Sequence, residues 1–426
     1  MSMKQNFNAK GYGLWLLLIL LVGILAVGCS GGESPDNGAV SEQSGESAVD
    51  KTVKIGIIDT YSGPAAGYAE DSLAGFKLAL EEAEESGLDF KIEFVKRDSE
   101  FKVNKGLEWA RELVEREKVD MLVGTINSAV ALAVSEYAKE QQVPFLVWNA
   151  QSENITGASG HRYVFGMMPN SAMSGMAGAV AMAKETPTKY WLAGSDYEYG
   201  HSIIDNFWSN LQQLKPEVEM AGESWWPVGE ADFTPYLNAI RLAKPDAIAI
   251  GAGGADMVPV MKSIAATGLN KEMDIWIHTG TDLGTLSPLG SEAPEDVMGT
   301  ATYHYYFPDT EENKAYSAKF KETNGREPGF TALNGYVTGK AITKALESVG
   351  EADMEKMVDT LAGLTLESPV GKITIREYDH QVVAPMFFGT TAKEAGNENL
   401  ISKDITALNG EDFVPSIEDI KQARGE

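Results

Sequence analysis

From Val53 onward the chain alternates short apolar runs with longer segments whose apolar residues recur at helical spacing, and few folds accommodate that order. Residues 53–58 form a β-rich run closed by Asp59, with the turn residues Ser62-Gly63-Pro64 just beyond. Residues 71–85 then place Leu73, Phe76, Leu80 and Ala83 at helical spacing. The spacing predicts strands at 91–96, 121–124 and 144–148 and helices at 103–117 and 129–141. Strands that alternate with helices imply crossover connections, and therefore a parallel sheet covered on both faces. A second series starts near residue 171. It reads as helices at 175–184, 202–214, 234–243 and 257–267, with strands at 189–193, 218–224, 247–250 and 275–277. Two successive series predict an α/β protein of two similar lobes. The remainder is less regular, with helices expected at 311–324, 332–349 and 355–361 and edge strands at 372–375 and 386–388. Tyr303-His304-Tyr305-Tyr306 reads as a strand crossing back between the lobes.

The N-terminal residues differ in kind. Lys4 and Lys10 precede an unbroken stretch of apolar residues and Gly from Leu14 to Val27, and the only cysteine, Cys29, follows Gly28. This is the layout of a secretory signal. The apolar run is short for a membrane span, which needs about 20 residues. Residues 30–51 are rich in Ser, Gly, Glu, Asp and Asn, too polar to offset their ordering entropy by burial, so they read as a flexible tether. The body beyond has no cysteine, and its core alone must hold it.

Charge and motif content exclude several chemistries. A formal net charge of −27 repels nucleic acid and anionic lipid. No G-x-G-x-x-G follows the first strand, and Gly251-Ala252-Gly253-Gly254 lacks the third glycine of a dinucleotide loop. There is neither a phosphate loop nor a G-x-S-x-G elbow. The five His residues show no metal-ligand spacing, so no metal and no cofactor is expected. Asp196 and Glu198 read as surface charges at a turn.

In open parallel sheets ligands bind beyond the carboxyl ends of the strands. The loops that matter are then 60–67, 125–128, 149–155, 194–200, 251–256 and 278–283. Facing lobes would place them on opposite walls of one cleft.

At these loops the chain resembles the type I periplasmic solute-binding proteins, the branched-chain amino-acid-binding group of ABC importers. The resemblance rests on Lys54-Ile55-Gly56-Ile57 through Ser62-Gly63-Pro64, on Asp120-Met121-Leu122-Val123-Gly124, and on Asp196-Tyr197-Glu198-Tyr199-Gly200. Asp232-Phe233-Thr234-Pro235 and Lys244-Pro245-Asp246-Ala247-Ile248 fit the same order. Cys29 after Gly28 likewise resembles a lipobox, in which the cysteine becomes the lipidated first residue. The resemblance implies two Rossmann-like lobes, parallel sheets flanked by helices, joined by a three-crossover hinge. It divides the chain into a signal peptide (1–28), a tether (29–51), lobe 1 (52–167 plus 300–366), lobe 2 (168–299 plus 367–395) and a C-terminal tail (396–426). It implies an extracytoplasmic, lipid-anchored protein, not an enzyme, that closes on a small amino acid or related carboxylate and docks on a membrane permease. A tethered sensor of the same fold, or a binder of an aromatic acid or amide without an amine, is the alternative. For the site it implies Asn127 and Ser128 at a helix start, then Ala150, Gln151 and Ser152 after the next strand. It also implies Tyr197 facing the cleft and Asp282 pairing with a ligand ammonium, with Tyr61 a further lining residue. Where family members carry Thr-Pro or Ser-Pro, this chain has Trp148-Asn149, whose ring either shapes the pocket or packs beneath it.

Overall fold

The computed structural model describes residues 51–394, 396–397 and 399–426, so the signal peptide, Cys29 and nearly all of the tether lie outside the described residues. The first series folds as expected and gains a short fifth strand that the spacing does not predict. Strands β1 (Thr52–Asp59), β2 (Lys91–Asp98), β3 (Met121–Gly124), β4 (Phe145–Val147) and β5 (Val164–Gly166) alternate with helices α1 (Ala66–Glu85), α2 (Val103–Glu115) and α3 (Ser128–Gln141). They form one parallel sheet in the order β2-β1-β3-β4-β5. Its central strands are apolar on both faces because helices cover both.

The second series runs α4 (Ser171–Met182), β6 (Lys189–Ser195), α5 (Glu198–Leu214), β7 (Glu219–Trp226), α6 (Thr234–Ala243), β8 (Ala247–Gly251), α7 (Met257–Thr267), β9 (Asp274–Ile277), α8 (Leu283–Leu289) and β10 (Val297–Ala301). The chain then adds α9 (Glu311–Asn324), α10 (Phe330–Val349), α11 (Met354–Leu361), β11 (Thr365–Ser368), β12 (Gly371–Ile375), β13 (Val382–Val383), β14 (Met386–Ala392), β15 (Ile401–Leu408) and α12 (Ile417–Arg424). The second sheet has the order β15-β14-β10-β9-β8-β6-β7, parallel except where β14 and β15 join antiparallel.

The chain passes between sheets three times, after β5, after β10 and after β13. Three details differ from expectation. Tyr303–Tyr306 is not a strand; the returning strand is β10, and only an isolated bridge pairs His304 with Phe307. The aromatic run mimicked β-propensity while lying in the crossing itself. Residues 367–383 do not join lobe 2, because Val370, Ile373, Ile375 and Val382 are buried in the core of the first sheet. Residues 396–426 are not a mere tail: β15 is an edge strand of the second sheet, and Ile420 of α12 is buried.

Candidate functional site

A small cavity lies where the carboxyl ends of both sheets meet. Ile126 after β3 and Asn149 and Gln151 after β4 line it from the first lobe, with Tyr68 from the first turn of α1 and Phe330 at the start of α10. Tyr197 and Tyr199 after β6, Gly253 and Gly254 after β8, Met257 opening α7 and Thr279 after β9 line it from the second. Every expected loop except 60–67 contributes. No Asp, Glu, Lys or Arg side chain is among these lining residues, whereas four are aromatic rings.

Each wall rests on a buried carboxylate. In the first lobe Asp59 ends β1, wholly buried, and accepts hydrogen bonds from the Ile126 N–H (2.9 Å), the Thr60 N–H (2.8 Å) and the Trp148 indole N–H (2.6 Å). Burial pushes its carboxyl up to about 6, against the pull of these donors. Trp148 is itself fully buried, so it packs beneath the pocket rather than shaping its rim. Asn149 is held by Ser72 Oγ, which accepts from its Nδ2 at 2.7 Å, and by Asn334, whose Nδ2 donates to its Oδ1 at 3.0 Å. In the second lobe Asp256 accepts from Ser195 Oγ (2.6 Å) and the Gly229 N–H (2.7 Å), while the Trp226 indole donates to Ser195 Oγ (3.2 Å). Asp256 stands at the N-terminus of α7 but makes no capping bond with its side chain.

Of the residues expected at the site, Gln151 and Tyr197 line the cavity. Asn127 caps α3: its Oδ1 accepts from the Val130 N–H (3.1 Å) and its Nδ2 donates to the Phe101 carbonyl (3.2 Å). Ser128 is buried and accepts from the Ser152 N–H (3.3 Å). Ala150 is buried in the core between the sheet and α3. Tyr61 is not among the lining residues; its ring lies 4.4 Å from Lys96 Nζ. Ser152 does not line the cavity but bridges the lobes, donating to Glu198 Oε1 at 2.5 Å, which also accepts from Asn154 Nδ2 at 2.9 Å. Glu198 is therefore a cross-cleft contact rather than a surface charge. Two further links join the lobes: Gln151 Oε1 lies 2.9 Å from His278 Nε2, and the Phe101 and Tyr197 rings are 5.9 Å apart. Sequence reasoning missed Tyr68, Tyr199 and Phe330 as lining residues. Tyr68 and Phe330 open their helices, so the helix start at the end of a loop was the available signal.

Asp282 is not among the lining residues. It is wholly buried; its Oδ1 accepts from the Gly284 N–H (2.7 Å) to cap α8, and its Oδ2 lacks a hydrogen-bond partner. Burial pushes its carboxyl up to about 7. The native state then holds a proton that the unfolded chain releases near the ordinary carboxylate value, so this group's stabilisation is full in acid and lost as pH rises from about 4 to about 7. Asp282→Asn is expected to flatten that decline. Urea midpoints at pH 4.5 and 7.5 check it; parallel pH dependence in parent and variant would show that Asp282 does not hold the proton.

Two α/β lobes meeting at an uncharged, ring-walled cavity define a small-molecule receptor that encloses its ligand between domains. A sequence profile described as periplasmic binding protein matches residues 52–399, and the chain belongs to that family. Members of this family are extracytoplasmic. The chain is 26% identical over 363 residues to a Leu/Ile/Val-binding protein homolog 6 of Brucella melitensis, covering 83% of this chain and 91% of that one. It is 22% identical over 329 residues to the leucine-, isoleucine-, valine-, threonine-, and alanine-binding protein of Pseudomonas aeruginosa, covering 76% and 86%. The fold matches an ABC-transporter solute-binding protein of Rhodopseudomonas palustris solved with 3,4-dihydroxybenzoic acid. The TM-score is 0.78 at 25% identity, over 86% of this chain and 99% of that one.

Proposed function

We propose that this protein captures a small aromatic carboxylate lacking an amine, for delivery to the permease of an ABC importer. The observation that carries the reading is the cavity wall. Tyr68, Tyr197, Tyr199 and Phe330 supply rings, Asn149, Gln151 and Thr279 supply polar groups, and no charged side chain lines it. Aromatic pairs contribute about 0.5–1.5 kcal/mol each beyond area burial. A zwitterionic amino acid would bring two charges to a wall that holds none and an aromatic acid only one, and desolvating each unpaired charge is costly. The aromatic acid bound by the Rhodopseudomonas neighbour supports the same class. The amino-acid reading draws on the names of the Brucella and Pseudomonas relatives. Capture works by closure: a solute touching both walls favours the closed state, and only its differential affinity shifts that population.

A thermal-shift panel of benzoates, aliphatic amino acids, amides and sugars separates these readings. Binding to the native state alone stabilises by about 4 kcal/mol at a thousandfold excess over Kd. Benzoates are expected to raise the melting temperature and amino acids to leave it nearly unchanged. A shift with leucine and none with any benzoate would replace the aromatic reading.

The location is proposed from the N-terminal residues: lipidation at Cys29 holds the body on the membrane within reach of its permease. Cys29→Ser is expected to move the protein from the membrane fraction to the soluble extracytoplasmic fraction with solute affinity unchanged. Persistence in the membrane fraction would leave the apolar run as an uncleaved anchor. An output through a sensor rather than a permease predicts wild-type solute uptake in a deletion strain.

A further inference from the structure

We propose that Phe101 is a positioning residue that sets how long the solute is held. Its ring reaches from the first lobe onto Tyr197 and Gly254 of the second and keeps that wall in place while the cleft is shut. The proposal rests on the reading above that the solute occupies this cavity.

Phe101 lies in the turn that follows β2. Two consecutive residues there, neither of them glycine, have left-handed backbone: Glu100 at φ 52° and Phe101 at φ 59°. Such backbone costs free energy and persists only where the surroundings over-determine it. Here Asp98 Oδ1 accepts from the Tyr61 N–H (3.0 Å) and the Glu100 N–H (2.8 Å), and the Lys102 N–H donates to the Ser99 carbonyl (2.8 Å). The Phe101 carbonyl accepts from Asn127 Nδ2 (3.2 Å). That amide cannot be turned over, because its Oδ1 accepts from the Val130 N–H (3.1 Å) and a backbone N–H only donates. Asn127, expected from the sequence to touch the solute, instead serves the site by fixing Phe101.

The Phe101 ring is half-buried and is not among the lining residues, but it meets two that are. Its centroid is 5.9 Å from that of Tyr197 at an interplanar angle of 59°, and a Cβ at Gly254 would stand 3.0 Å from its edge. Gly254 has φ 55°, so glycine there supplies both the turn and the room for the ring. The Tyr197 centroid is in turn 6.0 Å from that of Tyr199, and its hydroxyl would stand 3.0 Å from a Cβ at Gly253. One ring of the first lobe therefore backs a contiguous part of the second lobe's wall. The polar links between the lobes, Ser152 to Glu198 and Gln151 to His278, both start after β4. Phe101 starts after β2, with β1 and β3 between the two in the sheet, and so holds the opposite flank of the cleft. Because its partners belong to the other lobe, the contact forms on closure. A contact made in the closed state alone slows release and leaves entry into the open state unaffected.

Stopped-flow fluorescence of the full chain with benzoate and with leucine tests this. For whichever of the two binds, Phe101→Ala is expected to raise the dissociation rate on the order of tenfold and to leave the association rate within about twofold of the parent. Phe101→Leu keeps apolar bulk without the ring and is expected to fall between. Both variants keep a side chain on the same half-buried turn, so the solute-free melting temperature is expected to stay near the parent's. Gly254→Ala approaches the contact from the other lobe. It is expected to speed release, and its effect is expected to shrink in the Phe101→Ala background, where the ring it would press on is gone. An unchanged dissociation rate in Phe101→Ala overturns the proposal, and so do effects of Phe101→Ala and Gly254→Ala that simply add. Binding of leucine but not benzoate removes the aromatic reading; faster leucine release from Phe101→Ala would then still support the role of Phe101, and unchanged release would overturn it.

Discussion

Gly335→Ala is expected to destabilise the fold by about 3 kcal/mol, against the roughly 1 kcal/mol gain that alanine usually brings to a helix interior. The cause is the contact between α1 and α10, which cross through glycine notches. A Cβ at Gly335 would stand 1.9 Å from the Ser72 carbonyl oxygen, and one at Gly75 would stand 1.8 Å from that of Ala332. Both obstacles are backbone, so the helices must separate. α1 carries Tyr68 and α10 carries Phe330, whose rings are 6.0 Å apart at the cavity, so separation also spoils that wall. Gly67→Ala is the control, because a Cβ there meets nothing within 4 Å. Urea unfolding of the three proteins decides the matter. Equal midpoints for Gly335→Ala and the parent would mean the helices slide apart without cost.

Trp148→Ala is expected to cost about 3–5 kcal/mol from lost burial alone. It also removes the shortest hydrogen bond to Asp59 and leaves a buried carboxylate with one donor fewer. Trp148→Phe separates the two terms, because it keeps most of the ring volume and removes only the indole donor; about 1–3 kcal/mol is expected. Ile126 and Asn149 flank this pair and line the cavity, so both variants should weaken solute binding beyond what their stability loss explains. Denaturant midpoints with and without a bound acid measure both effects. A Trp148→Phe protein with parental stability and affinity would show that Asp59 needs no indole partner.

The layered fold was legible because its signal is periodic. Helix 234–243 and helix 257–267 match α6 and α7 residue for residue, since a 3.6-residue period over ten residues is hard to mistake for anything else. The loops that form the cavity were legible too, because parallel sheets bind at their carboxyl ends whatever the side chains. Side-chain direction was not. Tyr61 and Tyr68 stand seven residues apart in a stretch where either could face the cleft, and only the start of α1 at Ala66 decides for Tyr68. Asn127 and Ser128 were rightly placed at a helix start, but the cap and the Ser152 amide take up their hydrogen-bonding groups. Asp282 and Glu198 exchanged roles for a similar reason. Long-range packing buried the first and brought the second against Ser152 and Asn154, and local sequence carries no record of either. The edge strand β15 escaped notice because a half-exposed strand mixes polar with apolar residues.

The C-terminal segment bears on how far this receptor can open. β15 belongs to the second sheet, yet α12 lies on the first lobe, where Arg424 donates to the carbonyls of Thr156 (2.8 Å) and Gly157 (3.0 Å). Residues 409–416 thus make a fourth covalent passage between the lobes, beyond the three of the hinge. Such a span is inextensible past about 3.4 Å per residue. Rotation of the lobes is therefore bounded by chain length on this side, unless the Arg424 bonds release first. The empty receptor is a restrained rotor with a fixed angular range, not two bodies swinging freely on a flexible joint.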